Sequence, residues 1–375
     1  MSDVMRALRD IQDGSTAKLL LAEILAMADR EGILDRIRRL VPCSGEEVYR
    51  VLRVELGYAL ESGNRQRMIC LLLDMLRECG WLREVDGIVR WDSADPPVIP
   101  EVGDGTLQAR GASREDPQHR FFMRCVASVP AYLRGGPPSL LFDAASAGDW
   151  ELFLGCQEFH TCRSLLLGLM GPENRPHVRL LVLCHGPGWD VELVVSQLPM
   201  VHITALDFTE VFHGTARERA ETAHARHRQL GRPVLPVEWV GPDRWKGFGD
   251  PLPFGDGAFE AVFFSCGDPY IPRGLRSDVY REIGRVLAPG GQLGVLTRSR
   301  PDAGARHVSP FWLRISAQAH DFAESVCAGW EGFSDAEETQ RMFSEVGLEA
   351  AGGAMRGMSL LGASLWLLRK PRTDA

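Results

Sequence analysis

Residues 179–190 read RLLVLCHGPGWD, and residues 202–207 read HITALD. The first stretch is an apolar run that ends in a glycine turn, and the second is an apolar run that ends in an acid. Glycines let the backbone pass close beneath a ligand, and a helix that starts there points its N-terminus at the same place. Asp207 follows Gly188 by 19 residues, at a strand end where a carboxylate can accept both hydroxyls of a ribose. The combination predicts an adenosine site.

The residue three positions after the second glycine distinguishes between two kinds of adenosine ligand. A dinucleotide fingerprint requires a third glycine three residues after the second, so that a pyrophosphate fits at the helix start. Position 191 holds valine instead. A ligand without phosphate does not need that glycine, so the turn favours S-adenosylmethionine over NAD.

The same half of the chain alternates apolar runs with stretches of helical length. The runs fall at residues 179–184, 202–206, 234–240, 260–265, 291–297 and 363–368. Nearly continuous apolar strands that alternate with helices predict an α/β fold with a parallel sheet covered on both faces. The ligand of such a sheet lies at the carboxyl ends of its strands.

At residues 252–297 the chain resembles the class I S-adenosylmethionine-dependent methyltransferases. The matching segments are LPFGDGAFEAVFFSCGD (252–268) and YREIGRVLAPGGQLGVLT (280–297), with GFSDAEETQRMFSEVGLEAAG at 332–352 as the last helix and strand. The resemblance covers about half of the chain. It implies a Rossmann-like, seven-stranded domain over residues 176–375, with S-adenosylmethionine as cofactor and S-adenosylhomocysteine as product.

The N-terminal residues 1–95 predict a mostly helical, winged-helix-like module. Apolar stripes at 17–28 and 68–79 recur at helical spacing, and WLREVDGIVRWD (81–92) turns about Asp86-Gly87, a two-residue hairpin signal. The module is similar to the dimerisation domain of small-molecule O-methyltransferases, and the stripes exceed what so small a core needs. We therefore expect a homodimer, with residues 96–175 as linker and helical lid.

The resemblance also implies a cofactor site. It places Gly186 and Gly188 along the methionine and ribose, Asp207 on the ribose hydroxyls and Phe208 beside the adenine. An acid after the third strand meets the adenine amine in this family, which points to Asp243, with Asp250 as the rival. The remaining cofactor residues are Arg163 for the carboxylate, Cys184 in the turn, and Ser265 and Cys266 with backbone groups for the methionine amine.

Many relatives carry a catalytic His-Asp pair just after the fourth strand, but residues 266–270 read CGDPY, without histidine. Positioning the acceptor against the methyl donor removes much of the entropic barrier by itself. We expect catalysis chiefly by proximity, with His185 or Asp268 at most assisting. The expected substrate contacts are His160, Tyr270, Trp312 and His320.

Charge and composition exclude several partners. The net charge is −8 with a pI near 5.7, and residues 1–95 carry 14 Arg and Lys against 17 Asp and Glu. Nucleic-acid binding needs clustered positive charge, so we expect none. No run approaches ~20 apolar residues and the N-terminus lacks the apolar core of a signal peptide, which predicts a cytoplasmic protein without a membrane contact. Nine cysteines, scattered singly, predict neither disulfides nor a metal site.

These observations predict methyl transfer to a small molecule, in secondary-metabolite biosynthesis. Two alternatives stay open. One is an S-adenosylmethionine-binding enzyme of another reaction type, since the usual base is missing. The other is a winged-helix regulator that senses a ligand, against which the acidic N-terminal module speaks. The acceptor molecule and its reacting atom (O, N, C or S) are not determined by the sequence.

Overall fold

The computed structural model describes residues 15–61, 63–91, 117–300, 311–351, 358–360 and 363–372. The chain divides into two compact units. Unit 1 comprises residues 1–141 and 300–332, and unit 2 comprises residues 142–299 and 333–375. The predicted boundaries at 95 and 175 differ from this division, because the chain leaves the sheet after residue 299 and returns to the N-terminal unit.

Regular structure accounts for most of the described residues. The α-helices are α1 (Ser15–Arg30), α2 (Ile33–Leu40), α3 (Gly45–Leu56), α4 (Gly63–Glu78), α5 (Pro117–Leu133), α6 (Ala147–Leu154), α7 (Gln157–Met170), α8 (Trp189–Gln197), α9 (His213–Gln229), α10 (Arg276–Val286), α11 (Phe311–Glu324) and α12 (Ala336–Glu345). The strands are β1 (Cys43–Ser44), β2 (Leu82–Val85), β3 (Ile88–Trp91), β4 (Arg179–Leu183), β5 (His202–Leu206), β6 (Val237–Val240), β7 (Phe259–Ser265), β8 (Leu287–Thr297), β9 (Ser299–Arg300), β10 (Ser334–Asp335), β11 (Glu349–Ala350), β12 (Met358–Leu360) and β13 (Ala363–Arg369).

Unit 1 contains the predicted hairpin. Strands β2 and β3 pair antiparallel with Val85 opposite Ile88. The two residues between them, Asp86 and Gly87, both have positive φ, 53° and 74°, as a two-residue hairpin turn requires. β1 adds a third strand beside β3. The helices and the hairpin predicted for this module are confirmed, while residues 96–116 of the predicted linker lie outside the described residues.

The apolar stripes of unit 1 are already covered within the chain. Most stripe residues are buried, while Cys79 at the end of the second stripe is half-buried and Cys70 is exposed; the buried ones are Ala17, Leu20, Leu21, Ile24, Leu25, Ala28, Met68, Ile69, Leu72, Leu73, Met75 and Leu76. Helix α11, which the sequence had placed with the sheet, packs against α1 and α4. Its fully buried Asp321 is ion-paired with Arg67 and accepts a hydrogen bond from Trp330 Nε1 at 2.9 Å. The excess of apolar surface that predicted a homodimer is therefore used inside unit 1.

Unit 2 is built on a mixed sheet in the order β11-β13-β8-β7-β4-β5-β6, with β12 beside β13. The five strands from β8 to β6 run parallel. The expectation of an all-parallel sheet is wrong at β13, which pairs antiparallel with β8. Strand β13 is as apolar and buried as its neighbours, so its pattern carries no sign of its direction.

The strand order places a crevice at β4. The chain adds β5 and β6 on one side of β4 and then crosses to β7 on the other side. Such a reversal opens a crevice at the carboxyl ends of the strands, which is where α/β sheets bind ligands. Leu180, Leu181, Val182 and Leu183 have an exposed fraction of 0%, so the strand that carries the glycine turn is held on both faces.

Candidate active site

The glycine turn follows β4 and is tied to β5. The N–H groups of Cys184 and His185 both point to the carbonyl of Leu206, at 2.8 and 3.4 Å. Gly186 and Gly188 have positive φ, 48° and 87°, and α8 begins at the next residue. A Cβ on Gly188 would lie 2.4 Å from the Cα of Ala216 in α9. Glycine is thus required at 188 both for the turn and for the close approach of α9.

Asp207 is brought into the same turn. Its Oδ2 accepts a hydrogen bond from the Gly186 N–H at 2.8 Å, and its Oδ1 accepts one from the Thr209 N–H at 3.0 Å. The residue is 2% exposed. Burial raises the pKa of this carboxyl to about 6, while the backbone N–H bonds act in the opposite direction. The acid that the sequence selected at the end of β5 is therefore in contact with the glycine turn after β4.

A buried ion pair lies on the other side of the turn. Arg163 of α7 pairs with Asp190, in the first turn of α8, and both side chains are 4% exposed. The guanidinium also donates to Ser265 Oγ at 3.1 Å and to the Leu154 carbonyl at 2.6 Å. Asp190 was not among the residues that the sequence predicted for the site. The signal that could have found it is an acid at the second position of the helix that follows a glycine turn.

Two cysteines leave neighbouring strands in the same unusual conformation. Cys184 follows β4 and Cys266 follows β7, with φ values of 56° and 60°. The left-handed region costs a residue with a Cβ on the order of 1 kcal/mol, and such strain concentrates at functional sites. Burial raises the pKa of the Cys184 thiol well above its ordinary value. Cys184 is therefore an uncharged wall of the turn.

Asp268 anchors the segment after β7. It is 4% exposed, and its Oδ1 accepts a hydrogen bond from the buried Tyr280 hydroxyl at 2.5 Å. Its Oδ2 accepts one from Thr297 Oγ1 at 3.3 Å. Both oxygens are therefore engaged with the neighbouring helix and strand, which fixes the short helical turn Asp268–Tyr270. No sequence pattern indicated Tyr280 or Thr297 as its partners.

His185 is enclosed by aromatic rings. Its side chain is fully buried, and its ring stacks on that of His213 with centroids 5.1 Å apart. Its Nδ1 lies 2.8 Å from the Gly186 carbonyl, which can only accept, so Nδ1 carries the proton. Burial lowers the pKa of His185 to about 4. The imidazole is neutral near pH 7 and a weak base.

Phe208 and Tyr270 meet in one aromatic cluster with Phe142 and Trp150. Phe142 stacks on Trp150 at 5.2 Å and lies edge-on to Tyr270 at 5.3 Å and to Phe208 at 5.9 Å. Phe142 and Trp150 precede the predicted sheet in the chain, and no sequence pattern singled them out. The cluster lies beside the carboxyl ends of β5 and β7, from which Phe208 and Tyr270 come.

The two rival acids for the adenine lie apart. Asp250 lines a cavity of about 250 Å³ whose apolar walls include Trp245 and Phe248. Both of these rings pack against the ring of Phe208, with centroids 6.0 and 6.1 Å from its centroid. Asp243 is exposed at the end of β6 and does not line this cavity. Asp250 thus shares this cavity with two aromatic residues that contact Phe208.

Of the predicted substrate residues, Tyr270 belongs to this aromatic cluster. His160 is exposed on α7, and its contact with a substrate stays a prediction. His320 belongs to unit 1, where its Nδ1 lies 2.6 Å from the Ser316 carbonyl and its ring lies against Phe122. The side chain of Trp312 lies outside the described residues.

In the described parts of the chain, no three His, Cys, Asp or Glu side chains are grouped as metal ligands. Within the same parts, no helix combines the length and apolar character needed to cross a bilayer.

Comparison with known proteins gives consistent relatives, although no protein-family model matches the chain. The demethylmenaquinone methyltransferase of Listeria monocytogenes serotype 4b (strain CLIP80459) is 26% identical over 175 residues, which cover 44% of this chain and 67% of the relative. That of Staphylococcus aureus (strain JH9) is 27% identical over 183 residues, which cover 46% and 68%.

Solved structures match along the whole chain. The CurJ carbon methyltransferase superposes with a TM-score of 0.64 at 15% identity and covers 97% of this chain and 93% of its own. An O-methyltransferase family 2 protein from Planctomyces limnophilus, solved in complex with apigenin, has a TM-score of 0.55 at 16% identity and covers 98% and 96%. At such identities these structures establish the fold.

Fold and sequence similarity agree. The chain has the fold of O- and C-methyltransferases over its full length and resembles S-adenosylmethionine-dependent methyltransferases of class I in sequence over 44% of its length. The predicted fold class, a Rossmann-like domain with an N-terminal mostly helical domain, is confirmed.

The residues present fit the cofactor that this class implies. The left-handed Gly186 and Gly188 keep the turn free of side chains, and Asp207 lies against it. A pyrophosphate would have to lie at the start of α8, where Asp190 and Glu192 place two carboxylates in the first turn. Both carboxylates have cationic partners, Arg163 for Asp190 and Arg219 for Glu192, so they are held in place at the helix start.

The raised pKa of Asp207 has a measurable consequence for stability. Between pH ~4 and ~6 the folded protein binds a proton at Asp207 that the unfolded chain, with a pKa near 3.9, has released. The unfolding free energy therefore falls as pH rises through this interval, by about 2–3 kcal/mol. We expect Asp207→Asn to remove that fall. Urea unfolding at several pH values measures it, with the exposed Asp243→Asn as control; an unchanged slope in Asp207→Asn would contradict the assignment.

Proposed function

We propose that the protein transfers a methyl group from S-adenosylmethionine to a small-molecule acceptor of secondary metabolism and releases S-adenosylhomocysteine. The observation that carries the proposal is the contact of the Asp207 carboxylate with the left-handed Gly186. An acid in this position accepts ribose hydroxyls, and the turn leaves room for the rest of a nucleoside. The Planctomyces O-methyltransferase in complex with apigenin supports a small molecule as acceptor.

The cofactor residues divide between two ends of the crevice. Gly186 and Gly188 would lie along the methionine and ribose, and Ser265 and Cys266 would offer backbone groups to the methionine amine. Arg163 is proposed to hold the first turn of α8 rather than to bind the methionine carboxylate. Asp190 already neutralises the charge of Arg163, and the guanidinium N–H groups donate to Ser265 Oγ and to the Leu154 carbonyl.

At the adenine end we propose Asp250 in place of Asp243. A carboxylate at the rim of the Trp245–Phe248 cavity can accept from the exocyclic amine, while the ring packs on aromatic side chains. Phe208 contacts both of these aromatic residues, so its predicted place beside the adenine agrees with this cavity.

Catalysis is proposed to rest on positioning and exclusion of water. When bound, S-adenosylmethionine supplies an electrophilic methyl group on a sulfonium. The two residues considered as bases are poorly suited: burial lowers the pKa of His185 to about 4, and both oxygens of Asp268 accept hydrogen bonds from Tyr280 and Thr297. Asp268 instead holds Tyr270 in the aromatic cluster, where apolar walls keep water from the acceptor.

Ligand selectivity tests the proposed function. We expect the full chain to bind S-adenosylmethionine and S-adenosylhomocysteine in calorimetry and to show no binding of NAD. Asp207→Asn should weaken S-adenosylhomocysteine binding about 10- to 100-fold, since a charge-assisted hydrogen bond contributes about 1.5–3 kcal/mol. Its circular dichroism should stay unchanged. Tight NAD binding, or an Asp207→Asn variant that binds like the parent, would refute the assignment.

The two acids form a matched pair for the adenine. We expect Asp250→Asn to weaken S-adenosylhomocysteine binding about 3- to 10-fold, because one hydrogen bond to the adenine amine loses its charge. Asp243→Asn should leave binding unchanged, because the residue lies outside the cavity. Both are exposed, so neither substitution should disturb folding. The reverse ranking would restore Asp243 as the adenine acid.

The pH dependence of kcat separates positioning from base catalysis. Removal of a general base typically costs ~100- to 10,000-fold in rate. Once an acceptor is known, kcat can be measured against pH for the parent and for Asp268→Asn. We expect the two pH profiles to have the same shape near neutrality. A thousandfold loss in Asp268→Asn, together with the disappearance of a titration step near neutrality, would show that Asp268 is a base.

A homodimer stays a prediction of the sequence. The apolar stripes that motivated it are buried within unit 1, and the large apolar residues that are exposed among the described ones are dispersed: Val54, Val85, Leu141, Leu152 and Leu230. Light scattering of the full chain gives the answer directly. The mass of a dimer, twice 41.5 kDa, is expected, and a monomer mass would reject it.

A further inference from the structure

The glycine turn is held from two sides by side chains. Gly186 has its N–H bonded to Asp207 Oδ2 and its carbonyl bonded to His185 Nδ1, each at 2.8 Å. The two groups of one left-handed residue are therefore fixed by an acid from the next strand and by the imidazole that precedes it. Rotation of either neighbouring peptide would break one of these hydrogen bonds.

The imidazole is itself fixed in place. Its ring stacks on His213 at 5.1 Å with an angle of 30°, and Trp239 of β6 lies edge-on at 5.3 Å. His213 is the first residue of α9, and its Nδ1 lies 3.2 Å from Glu210 Oε2. One turn further along α9, Ala216 fills the space under Gly188. The start of α9 thus supports both ends of the turn.

We propose that His185 is a positioning residue for the cofactor, which acts through the hydrogen bond from its Nδ1–H to the Gly186 carbonyl and is oriented by its stack on His213. This inference rests on the proposed function, since it assigns to His185 the task of holding the turn that the cofactor lies against. It replaces the role of a base with one in which the imidazole keeps its proton on Nδ1. Its other nitrogen, Nε2, is buried and has no hydrogen-bond partner among the described residues.

Substitution of His185 by asparagine or by glutamine distinguishes the hydrogen bond of Nδ1 from a function of Nε2. The Nδ2 of asparagine takes nearly the place of histidine Nδ1, whereas the Nε2 of glutamine takes that of histidine Nε2. His185→Asn therefore keeps a donor for the Gly186 carbonyl, and His185→Gln keeps a polar group at the other end. Both lose the ring and its stack on His213, so their losses of packing are comparable.

The test uses the full chain and S-adenosylhomocysteine in calorimetry at pH 7.5. We expect His185→Asn to bind within about threefold of the parent and His185→Gln to bind at least about tenfold more weakly, which corresponds to one hydrogen bond. The two variants should melt at similar temperatures. The exposed His177→Asn is the control and should bind as the parent does. Equal binding by the two His185 variants, or tighter binding by His185→Gln, would overturn the proposal.

Hydrogen exchange gives a readout that needs no ligand. In the parent, the Gly186 amide should be protected by its bond to Asp207, and a peptide spanning residues 184–190 should exchange faster in His185→Gln than in His185→Asn. If the parent fails to bind S-adenosylhomocysteine, the proposed function fails, while the exchange comparison still decides whether His185 holds the turn. If the parent binds and both variants exchange alike, the positioning role alone is refuted.

Discussion

The hydrogen bond from the Gly186 amide to the Asp207 carboxylate is the contact on which the crevice of unit 2 depends. It joins the ends of β4 and β5, and it forms only because Gly186 takes a positive φ. The same turn brings α9 so close to Gly188 that a side chain there would overlap Ala216. A change at either glycine would therefore move the acid, the turn and α9 together.

Holding a carboxylate at this depth opposes folding. Burial, partly opposed by backbone hydrogen bonds, raises the pKa of Asp207 to about 6, and a buried acid without partners is more costly still. Two backbone N–H bonds, from Gly186 and Thr209, offset part of that cost. An acid kept at such an expense in stability is typical of a binding site rather than of a core, which is why the contact supports a ligand role.

The other buried charges in the crevice are arranged to position groups. Arg163 and Asp190 neutralise each other beside Ser265, and Asp268 is held by Tyr280 and Thr297. Such networks keep their members in one arrangement because a broken pair would leave a buried charge. The crevice is thus held in one arrangement at the strand ends and has aromatic rings beside them, as the proposed catalysis by orientation requires.

Much of the sheet unit followed from local patterns. The strand ends, the glycine turn, Asp207 and the Asp86-Gly87 hairpin all appear where the sequence predicted them, because an apolar run, a residue that allows positive φ and the acid after a strand are properties of neighbouring residues. The choice of Asp207 needed only the assumption that adjacent parallel strands end at one edge.

By itself the sequence determined which residues end the strands and which kind of ligand their turn suits, since backbone conformation and residue chemistry decide both. Only the tertiary structure decided the antiparallel direction of β13, the return of α11 to unit 1 and the pairing of Arg163 with Asp190. It also placed the ring of His185 between Gly186 and His213. Each of these depends on which distant surfaces are covered together, and hydrophobic periodicity reports that a face is buried without reporting against what.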